Sequence, residues 1–281
     1  MSFGIFLLII AASFFQAWWN FHLKKVKVDK SAFLFVGWLS LGVVSVPLSL
    51  FFMDKPLDPT WWHFVLATGL IQGMYLVVLS TAYTLADVSL VFPLARGLSI
   101  ALTTITLVVF AKLPVNQVGV AGICVIFFGS MLLAFRHWTS EKNRQAMMLA
   151  GVIALLISSY TVLDSFGAQK IPIVFYVAVM NIVGPLAALP WLYQSKKNDF
   201  VFVFKHHLLL AFLVGLAGSA AYLIVIWAYS HAPAPYVLAL REVSIVIASL
   251  LGILYLKEPV TRLKVAGIAF ILAGILLIKL A

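Results

Sequence analysis

The chain has 281 residues, 64% of them hydrophobic and 10% charged, with a formal net charge of +10 and a mean hydropathy of +1.11. Soluble domains run about 45–50% apolar and about 25% charged, so a water-soluble globule, a disordered chain and a collagen-like fibre are excluded. The single cysteine, Cys124, rules out a disulfide framework and a multi-cysteine metal site. The basic residues sit in short gaps between apolar runs, which assigns them to an anionic membrane face rather than to nucleic acid.

A bilayer-crossing helix takes roughly 20 mostly apolar residues. Apolar runs bounded by charged or Pro/Asn-rich breaks predict ten spans in chain order: 2–23, 32–53, 61–84, 88–110, 116–135, 146–168, 172–194, 207–230, 234–256 and 263–280. The first has no basic segment before it, and its Lys24–Lys25 pair follows the run, so it reads as a retained span rather than a signal peptide. Runs such as Gly122–Leu133 lack the alternation of a barrel strand. Backbone groups in lipid must be bonded within their own segment, and the expected fold is therefore all-α: a polytopic membrane protein with no soluble domain.

Thirteen Lys and Arg lie in the loops after the first, third, fifth, seventh and ninth spans, against four (Lys55, Lys112, Lys170 and Lys279) on the other side. The positive-inside rule puts both termini outside the cytoplasm. The short loops suit a multi-pass protein of the bacterial inner membrane. Two basic residues remain, Arg96 and Arg241, and both fall inside spans.

Those two are related. A shift of 145 residues lays Arg96 on Arg241, Ser99 on Ser244, Lys112 on Lys257, Pro114 on Pro259, Val120-Ala121-Gly122 on Val265-Ala266-Gly267 and Gly129 on Gly274. Shared Arg, Lys, Pro and Gly at one offset are hard to obtain by chance in apolar sequence. The chain thus divides into two five-helix repeats, residues 1–138 and 146–281. Five is odd, so the halves enter the membrane in opposite senses, a plan frequent in secondary transporters with a substrate site where the halves meet.

An ionisable side chain in hydrocarbon costs about 2.5–3.5 kcal/mol on insertion scales and should face a cavity or a partner. Arg96, Asp164, Arg241 and Glu242 are four such groups, and their charges cancel. Helical spacing extends them: Arg96, Ser99 and Thr103 share a face, Tyr160 precedes Asp164 by one turn, and Ser13, Gln16 and Asn20 form a stripe on the first span. Tyr83 and Tyr229 lie on polar-aromatic faces of the third and eighth spans with Gln72, Tyr75, Ser219 and Tyr222. The candidate substrate-binding residues are Arg96, Arg241, Tyr160, Asp164, Tyr83, Tyr229, Trp18 and Asn20; the candidate proton-coupling groups are Glu242 and Asp164. The arginines either meet an anionic group of a substrate or pair with Asp164 and Glu242 to lock the halves. Glycines repeated along the fifth and tenth spans (Gly119, Gly122, Gly129; Gly267, Gly274) read as close helix packing, or as a homodimer seam. With no phosphate loop, zinc motif, Rossmann fingerprint or serine elbow, energy for transport comes from a gradient, or the passage is passive.

Certain strings resemble a known family. They are Ala82-Tyr83 leading through Asp87-Val88-Ser89-Leu90 to Pro93-Leu94-Ala95-Arg96-Gly97, Leu256-Lys257-Glu258-Pro259-Val260 followed by Val265-Ala266-Gly267, and Tyr160-Thr161-Val162-Leu163-Asp164 with Gly167. Over essentially its whole length the chain resembles the EamA-type members of the drug/metabolite transporter superfamily, with a weaker similarity to members associated with phosphonate utilisation. The resemblance implies alternating access, a central cavity lined by helices 1, 3, 4, 6, 8 and 9, no cofactor, and a small-molecule substrate. It also implies cytoplasmic termini, where the loop charges argue the reverse.

The expected function is a secondary active transporter of a small polar or amphipathic metabolite, with Arg96 and Arg241 meeting a carboxylate or phosphonate. The alternative is a lipid or lipid-linked-sugar translocase of the same fold. An intramembrane enzyme is disfavoured, because no acid, base and nucleophile share one face. Tags fused at both termini should be reached by impermeant reagents in intact cells or spheroplasts; protection of both would reverse the orientation.

Overall fold

The structure is a computed structural model, and it describes residues 2–86, 88–134, 141–257 and 259–281. Asp87, Arg136 and Glu258, which figure in the motifs and loop charges above, lie outside the described residues. The elements are α1 (Phe3–Lys25), α2 (Lys30–Ser49), α3 (Trp61–Leu85), α4 (Val88–Ile105), α5 (Gln117–Ala134), α6 (Glu141–Lys170), α7 (Ile173–His206), α8 (Leu208–Tyr229), α9 (Ala234–Leu240), α10 (Val243–Leu256) and α11 (Arg262–Leu280). Among the described residues ten helical segments are long and apolar enough to cross a membrane, and each of the ten expected spans falls on one. The chain is an all-α, multi-pass membrane protein.

Side chains start several helices as capping chemistry requires. Ser2 accepts from the Ile5 amide at 3.3 Å, Asp29 from Ala32 at 3.0 Å and Thr261 from Lys264 at 3.3 Å. Asp29 also accepts a short hydrogen bond from the Ser31 hydroxyl and an ion pair from Lys196 at 2.9 Å. Partial burial opposes the charge of the Asp29 carboxylate, but Ser31, the Ala32 amide and Lys196 outweigh it and hold the group below the usual carboxylate range. Lys196 itself has non-helical dihedrals (φ −140°, ψ 21°) and marks a kink in α7. Helix therefore continues to His206, where the sequence reading ended the seventh span at 194.

Two other spans depart from one straight helix. The fourth passes from α4 into a π-turn over Thr106–Phe110, and the ninth is interrupted between α9 and α10 at Arg241-Glu242. In that interruption the backbone bonds shorten to three residues, Glu242 to Ala239 and Ser244 to Arg241, a tightening that mid-helix often marks a functional hinge. Both spans end alike. Lys112 and Lys257, the pair matched by the 145-residue shift, have φ of 55° and 54° and are the positive-φ residues among the described residues. Left-handed backbone costs a non-glycine residue roughly 1–2 kcal/mol, so the coincidence is structural rather than casual.

Packing brings α5 against α11, α2 against α7 and α8, α3 against α6 and α7, α1 against α8 and α10, and α4 against α5 and α6. The glycine stripes lie inside this packing. A Cβ on Gly122 would stand 2.9 Å from the Gly274 carbonyl oxygen, and one on Gly129 2.8 Å from that of Gly267; the reverse distances are 2.7 and 2.9 Å. These four glycines hold α5 to α11 within one chain, so they are not free to form the seam between two copies that the sequence left open. Phe51, Phe110, Leu209, Leu254 and Leu280, each more than two-thirds exposed, turn apolar surface outward, as a helix facing lipid does.

Gly129→Val should destabilise the protein by about 1–3 kcal/mol, the usual cost of overpacking, because the branched side chain meets backbone rather than a flexible side-chain end. A lowered melting temperature in detergent, with the oligomeric state unchanged, checks it.

Candidate functional site

A cavity of about 90 Å³ lies within the helical bundle. Its wall draws on α1 (Gln16, Trp19), α2 (Trp38), α3 (Gln72, Tyr75), α4 (Phe92, Arg96), α6 (Tyr160), α7 (Asn181, Pro185), α8 (Ser219, Tyr222) and the α9–α10 interruption (Arg241). Helices from both halves of the sequence contribute. Of the expected site residues, Arg96, Arg241 and Tyr160 line this cavity directly. Tyr160 meets Tyr75 edge-on at 6.1 Å, an arrangement aromatic quadrupoles favour.

The four buried charges are arranged in three different ways. Arg96 Nη2 lies 2.7 Å from Glu242 Oε1, and both residues are almost wholly shielded from solvent. The approach is off the line of a hydrogen bond, so the contact is chiefly a charge pair, and Glu242 Oε2 has no hydrogen-bond partner within the protein. Arg241 donates through Nη2 to Gln16 Oε1 at 3.2 Å, a neutral acceptor. Asp164, fully buried, accepts from the Tyr176 hydroxyl at 2.6 Å and from the Tyr222 hydroxyl in a short hydrogen bond. Gln72 donates to the Tyr222 oxygen at 2.8 Å, and the Thr68 hydroxyl lies 3.2 Å from that of Tyr176. Asp164 thus stands behind the wall and touches it through Tyr222. Of the two acid–arginine pairings weighed from the sequence, Glu242 makes one; phenols hold Asp164 instead.

The remaining expected residues lie elsewhere. Asn20 turns its amide back to the Gln16 carbonyl at 2.8 Å, and Ser13 its hydroxyl to that of Ile9 at 2.9 Å, so only Gln16 of that stripe reaches across the bundle. Trp18 packs on His22, with ring centroids 4.0 Å apart, while its neighbour Trp19 faces the cavity. Tyr229 is buried in the core, and Tyr83 is packed with α4 and α6 residues near the Lys30 ammonium, 5.7 Å from its ring.

Sequence reasoning missed α2 and α7 as wall elements. Trp38, Met180 and Asn181 stand in runs with little polar contrast, and Tyr176 carried no periodic signal. One clue was available in Pro185: it lacks an N–H, so the helical bond to the Asn181 carbonyl is missing, four residues away on the cavity wall. The Asn181 side chain accepts from Ser219 at 2.8 Å. Among the described residues no cluster of three or more His, Cys, Asp or Glu is placed to hold a metal ion.

Breaking the buried pair leaves one charge uncompensated, at a cost of about 3–5 kcal/mol. Glu242→Gln alone should therefore lower the detergent melting temperature sharply, and the double variant Arg96→Gln/Glu242→Gln should recover much of the loss. An additive double variant would show that the two groups do not act as a pair.

Residues 144–280 match the EamA-like transporter family. The chain is 25% identical to the "Probable glucose uptake protein GlcU" of Bacillus cereus, over 99% of this chain and 98% of that protein. It is 22% identical to the protein of the same description from Priestia megaterium, over 99% and 96%. A solved crystal structure superimposes with a TM-score of 0.77 at 16% identity, covering 99% of this chain and 98% of that one, which shows a shared fold. With ten membrane helices around a polar cavity, these likenesses make the chain a multi-pass transporter of a small substrate in the bacterial inner membrane, not an enzyme, and similar over its second half to the EamA-like transporter family.

Proposed function

We propose that the chain is a secondary active transporter that carries a small, hydroxyl-rich polar solute through the central cavity by alternating access. The observation that carries this reading is the composition of the wall. Trp19, Trp38, Tyr75 and Tyr160 supply aromatic faces, and Gln16, Gln72, Asn181 and Ser219 supply neutral hydrogen-bonding groups. Rings for the apolar C–H faces of a sugar, and amides for its hydroxyls, are a binding surface for a monosaccharide-sized solute. The curated relatives named for glucose uptake support that substrate class.

Two inverted five-helix halves, residues 1–138 and 146–281, would move against one another. Several observations support this division. α5 and α11 run antiparallel through the glycine contacts, since Gly122 meets Gly274 and Gly129 meets Gly267. The packed pairs largely map onto themselves when each helix is exchanged for its counterpart: α1 with α8 corresponds to α3 with α6, and α2 with α8 to α3 with α7. The departure is α4, which packs on α5 far more closely than α10 packs on α11.

Asp164 is the group we assign to proton coupling. It is buried, takes its hydrogen bonds from hydroxyls rather than from a cation, and is joined to the cavity by Tyr222. Glu242, bound to Arg96, is assigned the structural role of tying the fourth span to the ninth. In proteoliposomes, accumulation of the solute driven by a pH gradient should collapse on adding a protonophore. Asp164→Asn should then permit equilibration without accumulation. Uphill uptake unaffected by the protonophore would remove Asp164 from coupling.

A further inference from the structure

Fully buried polar atoms without a hydrogen-bond partner are informative where they border empty space. On the residues lining the cavity, such atoms are Trp19 Nε1, Arg96 Nε and Nη2, and Arg241 Nη1. All are donors. Arg96 spends its charge on Glu242 at 2.7 Å, so its guanidinium is already neutralised. Arg241 is 5% exposed and donates its hydrogen bond to the neutral Gln16 oxygen at 3.2 Å. One cation therefore stands on the cavity wall without an acid in direct contact, beside an indole N–H that also lacks an acceptor.

The sequence register shows how this imbalance arises. The position 145 residues before Glu242 is Gly97. A Cβ at Gly97 would stand 2.7 Å from Met131 Cε and 2.9 Å from Ser130 Cβ, so the first half carries a glycine packed against α5 where the second carries a glutamate. Of the two buried acids, Glu242 pairs with the arginine of the other span and Asp164 is held by phenols, so neither is in contact with Arg241.

We propose that Arg241 anchors a carboxylate and that the substrate is a sugar acid, an aldonate or hexuronate, rather than a neutral sugar. This rests on reading the cavity as the substrate site and narrows the solute that the curated relatives suggest. Guanidinium matches a planar carboxylate with two parallel hydrogen bonds, and Arg241 Nη1 is free to make one of them. The hydroxylated part of the solute lies against the rings of Trp19, Trp38 and Tyr160, with Gln72 and Asn181 as hydroxyl partners. A single carboxylate suits a single unpaired cation. A phosphate dianion would ask for a second, and Arg96 is committed to Glu242.

The test is equilibrium binding to the purified, detergent-solubilised protein by titration calorimetry, with D-gluconate, D-glucuronate, D-glucose, glucose 6-phosphate and lactate as separate ligands. At least one of the two sugar acids should bind ten-fold or more tighter than glucose and than lactate. Arg241→Gln should erase that preference, and Arg241→Lys should keep part of it. Glucose binding as tightly as the acids in the unmodified protein overturns the inference, as does absence of acid binding, tighter binding of glucose 6-phosphate, or a preference that survives in Arg241→Gln. The comparison among ligands in the unmodified protein stands even if the Gln variant does not fold. Binding reads no movement across a membrane, so sugar acids that bind but are never transported would sink the transport reading and leave this one intact.

Discussion

A charge inside a lipid-embedded bundle must find its compensation inside the bundle, and the contact between Arg96 and Glu242 is where this chain meets that demand most directly. At 2.7 Å and with both partners shielded, the pair ties α4 to the segment joining α9 and α10. The interruption of the ninth span at Arg241-Glu242 belongs to the same solution. Two successive polar side chains on one regular helix point about 100° apart. Here consecutive residues serve two tasks, one reaching Arg96 and the other bordering the cavity. Fold and site thus share a single pair of adjacent residues, and the geometry of one cannot change without the other.

Asp164 meets the same constraint by another route. Its two oxygens take phenolic hydrogen bonds from Tyr176 and Tyr222, which belong to α7 and α8. Hydroxyls stabilise a carboxylate without fixing it in a charge pair, and a phenol that also lines the cavity connects that carboxylate to whatever occupies it. Gln72 extends the chain of hydrogen bonds to α3. Three helices therefore converge on a group that belongs to a fourth, which gives the buried acid a mechanical link to much of the wall.

The spans were legible because hydrocarbon imposes length and composition on any segment that crosses it. The polar positions were legible because so few residues break the apolar background: Arg96, Arg241, Asp164 and Glu242 stood out on cost alone. Side-chain register was harder. On α1, Trp18 and Trp19 differ by one residue, about 100° of rotation, and composition does not say which faces inward; similarly Asn20 bonds its own helix while Gln16 reaches Arg241. The contribution of α7 was nearly invisible, since Asn181 stands among Val, Met and Ile, and Tyr176 reads as one more aromatic. What sequence cannot carry is which of several polar groups satisfies itself locally, because that depends on distances between helices rather than along them.

The glycine contacts between α5 and α11 have a consequence for how the molecule can deform. Gly122 and Gly129 lie against the carbonyls of Gly274 and Gly267 at distances that leave no space for a methyl group. Sliding one helix along the other by a turn would carry bulky neighbours, Ile126 on one and Ile271 or Ile278 on the other, into gaps sized for hydrogen. The two helices are keyed against shear, like a tongue in a slot, while a small change of crossing angle leaves the key engaged. Any rearrangement that exposes the cavity to opposite sides of the membrane must then treat this pair as one rigid post and take up its displacement in the other eight spans.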